Sequence, residues 1–308
     1  MTIATGRSSS SLCPPALLLL VGFCLGVLFT CGISPQPLQI VKENRLSTFM
    51  RFSRRAGSSS SDILKFGNPG PVHDLLERTE YVASYNRRDR VPDWVGEHLT
   101  ADSLAAGPDV NRDKSNFKED TDIPSMFRAL LKDYTGSGYD RGHMAPAADA
   151  MATQEAMDET FLLSNMAPQV GVGFNRQYWA YFEGFVRDLT KNYTDVYVYT
   201  GPLFLPQPLG GSSSSKNPGY QIQYPVIGTT PNVAVPTHFY KIILTTKDSN
   251  SYSLGAFVLP NQKISSSTPL TKFQVNLTAI EKAAGLQFFD KLDRSQFSDL
   301  CAQIKCAV

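Results

Sequence analysis

The chain has 308 residues, 42% of them hydrophobic and 19% charged. It therefore has ample material for a packed core, and intrinsic disorder, collagen-like repeats and a disulfide-dense miniprotein are excluded as global descriptions. The formal net charge of +1 argues at first sight against a polyanionic partner, but of 29 basic and 28 acidic residues the first 65 positions hold seven basic and two acidic, a net +5, leaving 22 basic and 26 acidic residues, a net −4, for the rest.

The segment carrying that excess, residues 1–65, reads as a leader and linker, and residues 66–308 read as the working domain. No Asp or Glu precedes Glu43. Arg7 and the Ser8–Ser11 run lead into an uncharged stretch, Leu12 to Ile33, followed by a basic stretch, Lys42 to Arg55, and a second Ser run. Three readings fit. A mitochondrial presequence is rich in Ser and Arg and poor in acids. A membrane anchor through residues 12–33 needs about 20 apolar residues, and Pro, Gly, Thr and Cys interrupt this run. A secretory signal has a shorter apolar core and a small-residue cleavage site, which is not evident here. Cys13, Cys24 and Cys31 lie in the leader, Cys301 and Cys306 in the tail, and none between. The body thus has neither a disulfide framework nor a cysteine zinc site. Cys301 and Cys306 either pair, if the tail turns back, or serve as small apolar residues of a terminal helix.

Along the body, Gly67-Asn-Pro-Gly-Pro signals a loop, Val72 to Tyr81 a helix or extended segment, and Val82 to Arg90 a strand running into a charged turn. Residues 101–140 are polar and read as irregular. The periodicity of Tyr178, Phe182, Phe185, Val186 and Leu189 predicts a helix over Asn175–Lys191, with Asn175 as its cap. Asn175 and Glu183, eight residues apart, then share a side of that helix. Asp195 to Tyr199 alternates as a half-buried strand. Gln221 to Ile227, Thr237 to Thr246 and Tyr252 to Leu259 are further β-rich runs, with a Gly/Ser-rich loop tip at 209–217. Val275 to Ala284 and Leu286 to Leu292 read as short helices.

Chemistry concentrates in Tyr139-Asp-Arg-Gly-His-Met-Ala-Pro, which joins a carboxylate, a guanidinium suited to phosphate, a conformationally permissive Gly142 and the imidazole of His143. Leu163-Ser-Asn165 and Phe174-Asn-Arg-Gln-Tyr-Trp follow. His73 and His98 lack such company and read as surface or structural. His238, in an apolar strand, reads as a packed core histidine, and the histidine spacing does not suit zinc.

Asp140-Arg-Gly-His143, Leu163-Ser-Asn165 and Asn175 with Glu183 together resemble the DNA/RNA non-specific endonucleases of the ββα-metal class. The similarity is strongest to the mitochondrial endonuclease G branch and its fungal-type members. It implies an α+β fold: a central, mainly antiparallel sheet flanked by helices, with a ββα-metal (His-Me) site. It also implies an endonuclease acting on DNA and RNA with Mg²⁺, Mn²⁺ being able to substitute. In that pattern His143, with a pKa near its unperturbed value of about 6.5, is the general base on water. Asn175 is the direct protein ligand of the metal, and Glu183 lies one shell out, on water held by the ion. Arg141 contacts phosphate, Asn165 supports histidine and substrate, and Asp140 positions its neighbours. An upstream basic residue among Arg112, Lys114 and Lys118 stays unassigned. Homodimers are usual among relatives, and the resemblance favours mitochondria, at the intermembrane space or inner membrane, over secretion. Two alternatives remain open, an exonuclease-preferring phosphodiesterase and a non-catalytic nucleic-acid-binding scaffold.

Overall fold

The computed structural model describes residues 60–70, 73–209, 219–248 and 250–308. The readings of the leader up to residue 59, including the 12–33 stretch, and of the loop tip from 210 onward lie outside the described residues. A helical turn, α1 (Ser60–Ile63), precedes β1 (Asp74–Glu77), β2 (Tyr81–Asn86) and β3 (Val91–Leu99). Then come α2 (Leu131–Tyr134), β4 (Tyr139–His143), α3 (Gln154–Thr160), β5 (Met166–Val170), α4 (Ala180–Asp188) and β6 (Asp195–Leu203). Four two-residue strands follow, β7 (Gln207–Pro208), β8 (Tyr220–Gln221), β9 (Val226–Ile227) and β10 (Val233–Ala234). The long β11 (His238–Thr246) and β12 (Tyr252–Pro260) come next, and α5 (Leu277–Ala284), β13 (Phe297–Asp299) and α6 (Leu300–Gln303) close the chain. The main sheet runs β1-β2-β3-β6-β11-β12-β13. Every pairing is antiparallel except β12 with β13. This is the α+β architecture with a mainly antiparallel sheet.

The two-residue period of the strands sorts their side chains into two cores. Val95, Val196, Val198, Phe239, Ile243 and Phe257 face α4 and the β4–β5 pair. Trp94, Tyr197, Tyr199, Tyr240, Ile242 and Leu244 face α1, α5 and the Phe288–Phe289 segment. The alternation read in Asp195–Tyr199 is real, but the strand is not half-buried: Tyr197 and Tyr199 are each 2% exposed. A sheet covered on both faces selects bulky aromatics for its second side rather than polar residues. The packed body takes in Ile63 and Phe66.

Several local expectations change. Of the two readings of the segment after residue 72, the extended one holds, through β1. β3 was not legible, because Asp93, Gly96, Glu97 and His98 break its apolar pattern. Gln221–Ile227 is strand only at its ends; most of it is exposed, so no apolar face holds it to the sheet. Leu286–Leu292 is not helical. Phe289 sits at φ 54, and Phe288 and Phe289 fill the second core from irregular chain. His238 is half-buried at the sheet's end rather than in the core, bonded to Thr237 Oγ1 at 3.0 Å, and partial burial lowers its pKa. His73 is exposed beside Asp93, and His98 bridges to Asp195 at 2.8 Å while stacked on Tyr197. The tail does turn back: α6 ends at Gln303, Ile304 is extended, and Cys301 and Cys306 form a disulfide. Cys301 does lie in the terminal helix and Cys306 beyond its end, and the two are paired rather than serving as separate small apolar residues.

Candidate active site

β4 and β5 pair antiparallel, with Gly142 opposite Ala167 and His143 opposite Met166. After β5 the chain turns at Val172 and at Gly173, whose φ of 88° needs glycine. It then winds through wide helical turns into α4, ending in a tight turn at Leu189–Lys191. Two strands and a helix thus converge on one cavity of about 530 Å³. Arg141 and His143 line it from β4, Asn175 and Arg176 from the entry to the helix, and Glu183 and Arg187 from α4. Asn175 and Glu183 share a side of this helix, as their spacing requires.

Gly142 is present for space rather than for unusual dihedrals. Its φ is not positive, but a Cβ there would overlap the side chain of the fully buried Gln169 across the ladder. His143 lies between Phe117 and Phe161, ring centroids at 5.6 and 5.0 Å. Its Nε2 is sealed from solvent and accepts or donates no hydrogen bond among the described residues. Burial, and then the charge of Arg112, lower its pKa to about 3. The expectation of an unperturbed imidazole is therefore corrected: His143 is neutral throughout the neutral range, because burial in this aromatic slot disfavours a charge and Arg112 already places a positive one nearby.

Asp140 anchors the opposite wall. It accepts two bonds from Arg176, at 2.7 and 2.6 Å, and one from Asn175 Nδ2 at 2.9 Å. The Arg176 bonds hold its pKa below the usual carboxylate range. Asn175 is therefore not a helix cap. The Gly173 N–H donates instead to Gln177 Oε1, and the Asn175 amide is oriented by Asp140, leaving its oxygen as the group available to the cavity. Glu183 is half-buried in the same cavity, and burial pushes its pKa up to about 7 against the pull of Lys241. Asn165 is not in the cavity. It is fully buried, accepts from the Ala145 N–H at 2.9 Å and donates to the carbonyls of Ala145 and Thr160. It fixes the chain two residues beyond His143.

Among the described residues no three His, Cys, Asp or Glu side chains gather into a metal cage. The donor set instead suits a hard ion that keeps most of its waters: an amide oxygen held in place by Asp140 and one carboxylate in reach of the same cavity. Four arginines line the cavity (Arg112, Arg141, Arg176, Arg187) against two carboxylates (Asp140, Glu183), so the lining is cationic within an acidic body. Arg141 lies over the rings of Phe117 and Tyr134 at 5.0 and 5.8 Å, and Arg112 over Phe161 at 5.2 Å. Of the three upstream candidates, geometry brings Arg112 to the site. Arg187 was not read from the sequence, although its place one turn after Glu183 was a usable signal.

A neutral imidazole, an oriented amide and clustered guanidinium groups on a ββα scaffold define a phosphodiester-cleaving class of site. The model of the DNA/RNA non-specific endonuclease family matches residues 59–295, and the chain belongs to that family and is a nuclease. A "Nuclease" of Syncephalastrum racemosum is 65% identical over all of this chain and 97% of its own length. The "Mitochondrial nuclease" of Saccharomyces cerevisiae is 48% identical over 80% of this chain and 75% of its own. Among solved structures, one chain of the EndoG/EndoGI complex aligns with a TM-score of 0.73 and 47% identity, covering 79% of this chain and 96% of that one.

Proposed function

We propose that this nuclease is a Mg²⁺-dependent, sugar-non-specific endonuclease that hydrolyses phosphodiester bonds of DNA and RNA, with His143 as general base and Asn175 holding the metal. The observation that carries this reading is the neutral imidazole of His143, its Nε2 without a partner among the described residues, in a cavity that also holds four arginines. A neutral imidazole can take the proton of an attacking water, and a phosphate entering beside it opposes the charge of Arg112, raising the basicity of the ring when substrate is in place. Arg141 and Arg187 face the same space and neutralise charge developing on the phosphoryl oxygens. Asp140 aligns Asn175, and Glu183 supplies a carboxylate across the cavity. When bound, Mg²⁺ supplies charge neutralisation at the phosphate and at the leaving 3′ oxygen. Contacts through phosphate rather than base edges account for action on both sugars.

Residues 1–65 are assigned as the address and 66–308 as the nuclease domain, and the mitochondrial name of the yeast relative supports delivery to mitochondria, at the intermembrane space or inner membrane. Membrane association through residues 12–33 and homodimerisation complete the proposal; fractionation of a leader fusion and sedimentation velocity check them separately. The activity is tested with the purified protein on closed circular DNA and on RNA, with Mg²⁺ or with chelator. Nicked circles and cut RNA, both lost in chelator, are expected. Surviving circles beside degraded linear DNA would favour the exonuclease alternative, and no cleavage of either substrate would remove the proposal.

A further inference from the structure

Beneath the cavity, between the main sheet and α4, lies a group of charges that the reaction as described does not use. The register places Val95 opposite Thr200 and Thr200 opposite Lys241, with Glu97 opposite Val198. Glu97, Thr200 and Lys241 therefore point to the same face as Val198, Phe239 and Ile243, the face on which α4 packs. They are buried there: Glu97 is 3% exposed and Lys241 1%. Lys241 Nζ donates to Thr200 Oγ1 at 2.6 Å and lies 5.0 Å from the ring centre of Trp179. From the helical side Arg187 Nη1 donates to Asp149 Oδ1 at 2.8 Å. Burial raises the pKa of the Glu97 and Asp149 carboxyls, and the charge of Lys241 acts on Glu97, Asp149 and Glu183 alike.

Burying charges is expensive, and well-packed apolar residues in the place of a buried ionic group are often as stable or more so. Folding alone would be served by aliphatic residues at positions 97 and 241, as at Val95 and Ile243 beside them. What an ionic group offers instead is fixed direction: Arg187 is held by Asp149 and Lys241 by Thr200, each at hydrogen-bond distance. Two members of this group, Glu183 and Arg187, also line the cavity above. We propose that Lys241 is a positioning residue of the nuclease, its buried ammonium packed under Trp179 at the entry to α4, where its charge acts on the Glu183 carboxyl one turn further on and on the Asp149–Arg187 pair beyond it. Without its ammonium, three carboxylates share one cation, and the two α4 side chains lose the arrangement the substrate meets. The inference rests on the assignment of Glu183 to catalysis.

The test compares kcat and KM of the full chain with those of Lys241→Met, Thr200→Val, Glu183→Gln and Glu97→Gln/Lys241→Met on a short DNA duplex with Mg²⁺, beside thermal melting. Lys241→Met is expected to melt below the wild type, since it leaves buried carboxyls without their cation, and, at temperatures where it is folded, to lose about 10–100-fold in kcat, the usual loss when a residue orienting a site is removed, with KM little changed. The double variant, which restores charge balance without restoring the ammonium, is expected to stay as slow. Thr200→Val keeps the charge and removes only its hydrogen-bond acceptor. It is expected to lower kcat by a smaller factor, and it decides the matter if Lys241→Met does not fold. Wild-type kcat in Lys241→Met, or in Thr200→Val where the former is unfolded, overturns the proposal. So does a loss confined to KM, or full recovery in the double variant, which would make Lys241 only a counter-charge to Glu97. If Glu183→Gln is itself fully active, the catalytic assignment fails; if Glu183→Gln is slow and Lys241→Met is not, only the role of Lys241 fails.

Discussion

An imidazole between Phe117 and Phe161, facing Arg112, is a poor place for a proton, and this has a consequence for stability as well as for catalysis. The folded-state pKa of His143, about 3, lies below the unfolded value of about 6.5, so between these values the unfolded chain binds the extra proton. The contribution of His143 is therefore complete above pH 6.5 and is lost as pH falls toward 3. Melting temperature should drop less steeply over that interval in His143→Ala than in wild type; equal slopes would contradict the lowered pKa. Glu183 works in the opposite sense. Its pKa is pushed up to about 7, so its contribution is complete below its unfolded value of about 4.3 and is lost as pH rises through 7. Glu183→Gln should therefore melt higher than wild type at pH 8, by more than at pH 5, while cutting DNA more slowly. A catalytic carboxylate kept at a cost in stability shows that signature, and a variant that melts lower at pH 8 would count against it.

At the scale of elements, the ββα unit was legible because its chemistry is local. Asp140 to His143 are consecutive on one strand, and Asn175 and Glu183 lie about two turns apart along one helical stretch. The reason for Gly142 was not legible, because it depends on Gln169 lying across the ladder, a partner set by strand pairing. Gly142→Ala must displace that buried side chain and should cost about 1–3 kcal/mol, the usual range for overpacking, in urea denaturation. Shortening Gln169 to Ala in the same chain should recover part of the loss; no recovery would place the strain elsewhere. β3 escaped reading for a related reason. Its Glu97 breaks the apolar pattern from which strands are recognised, and it is buried because Asp149, Lys241 and the register of three strands meet it there. Arg187 and Lys241 belong to the same kind of information, carried by long-range packing rather than by neighbours in sequence.

Over the whole molecule, the near-neutral net charge conceals a cationic first 65 residues, an acidic body and, within that body, a cavity with four arginines against two carboxylates. The contrast between leader and body was visible from counting charges. The collection of Arg112, Arg141, Arg176 and Arg187 at one place was not, since they come from separate stretches of chain. A local groove binds a polyanion mainly by releasing counterions, so affinity should fall steeply with salt; a binding curve flat from low to moderate salt would contradict the local field. The central claim concerns what the cavity does with a phosphodiester once it is there. It is tested most directly by single-turnover cleavage of bound DNA in Mg²⁺ by wild type and His143→Ala. The account predicts unchanged binding and a rate lower by about 10²–10⁴, the contribution of a positioned general base. A His143→Ala protein that cuts bound DNA at the wild-type rate would contradict it.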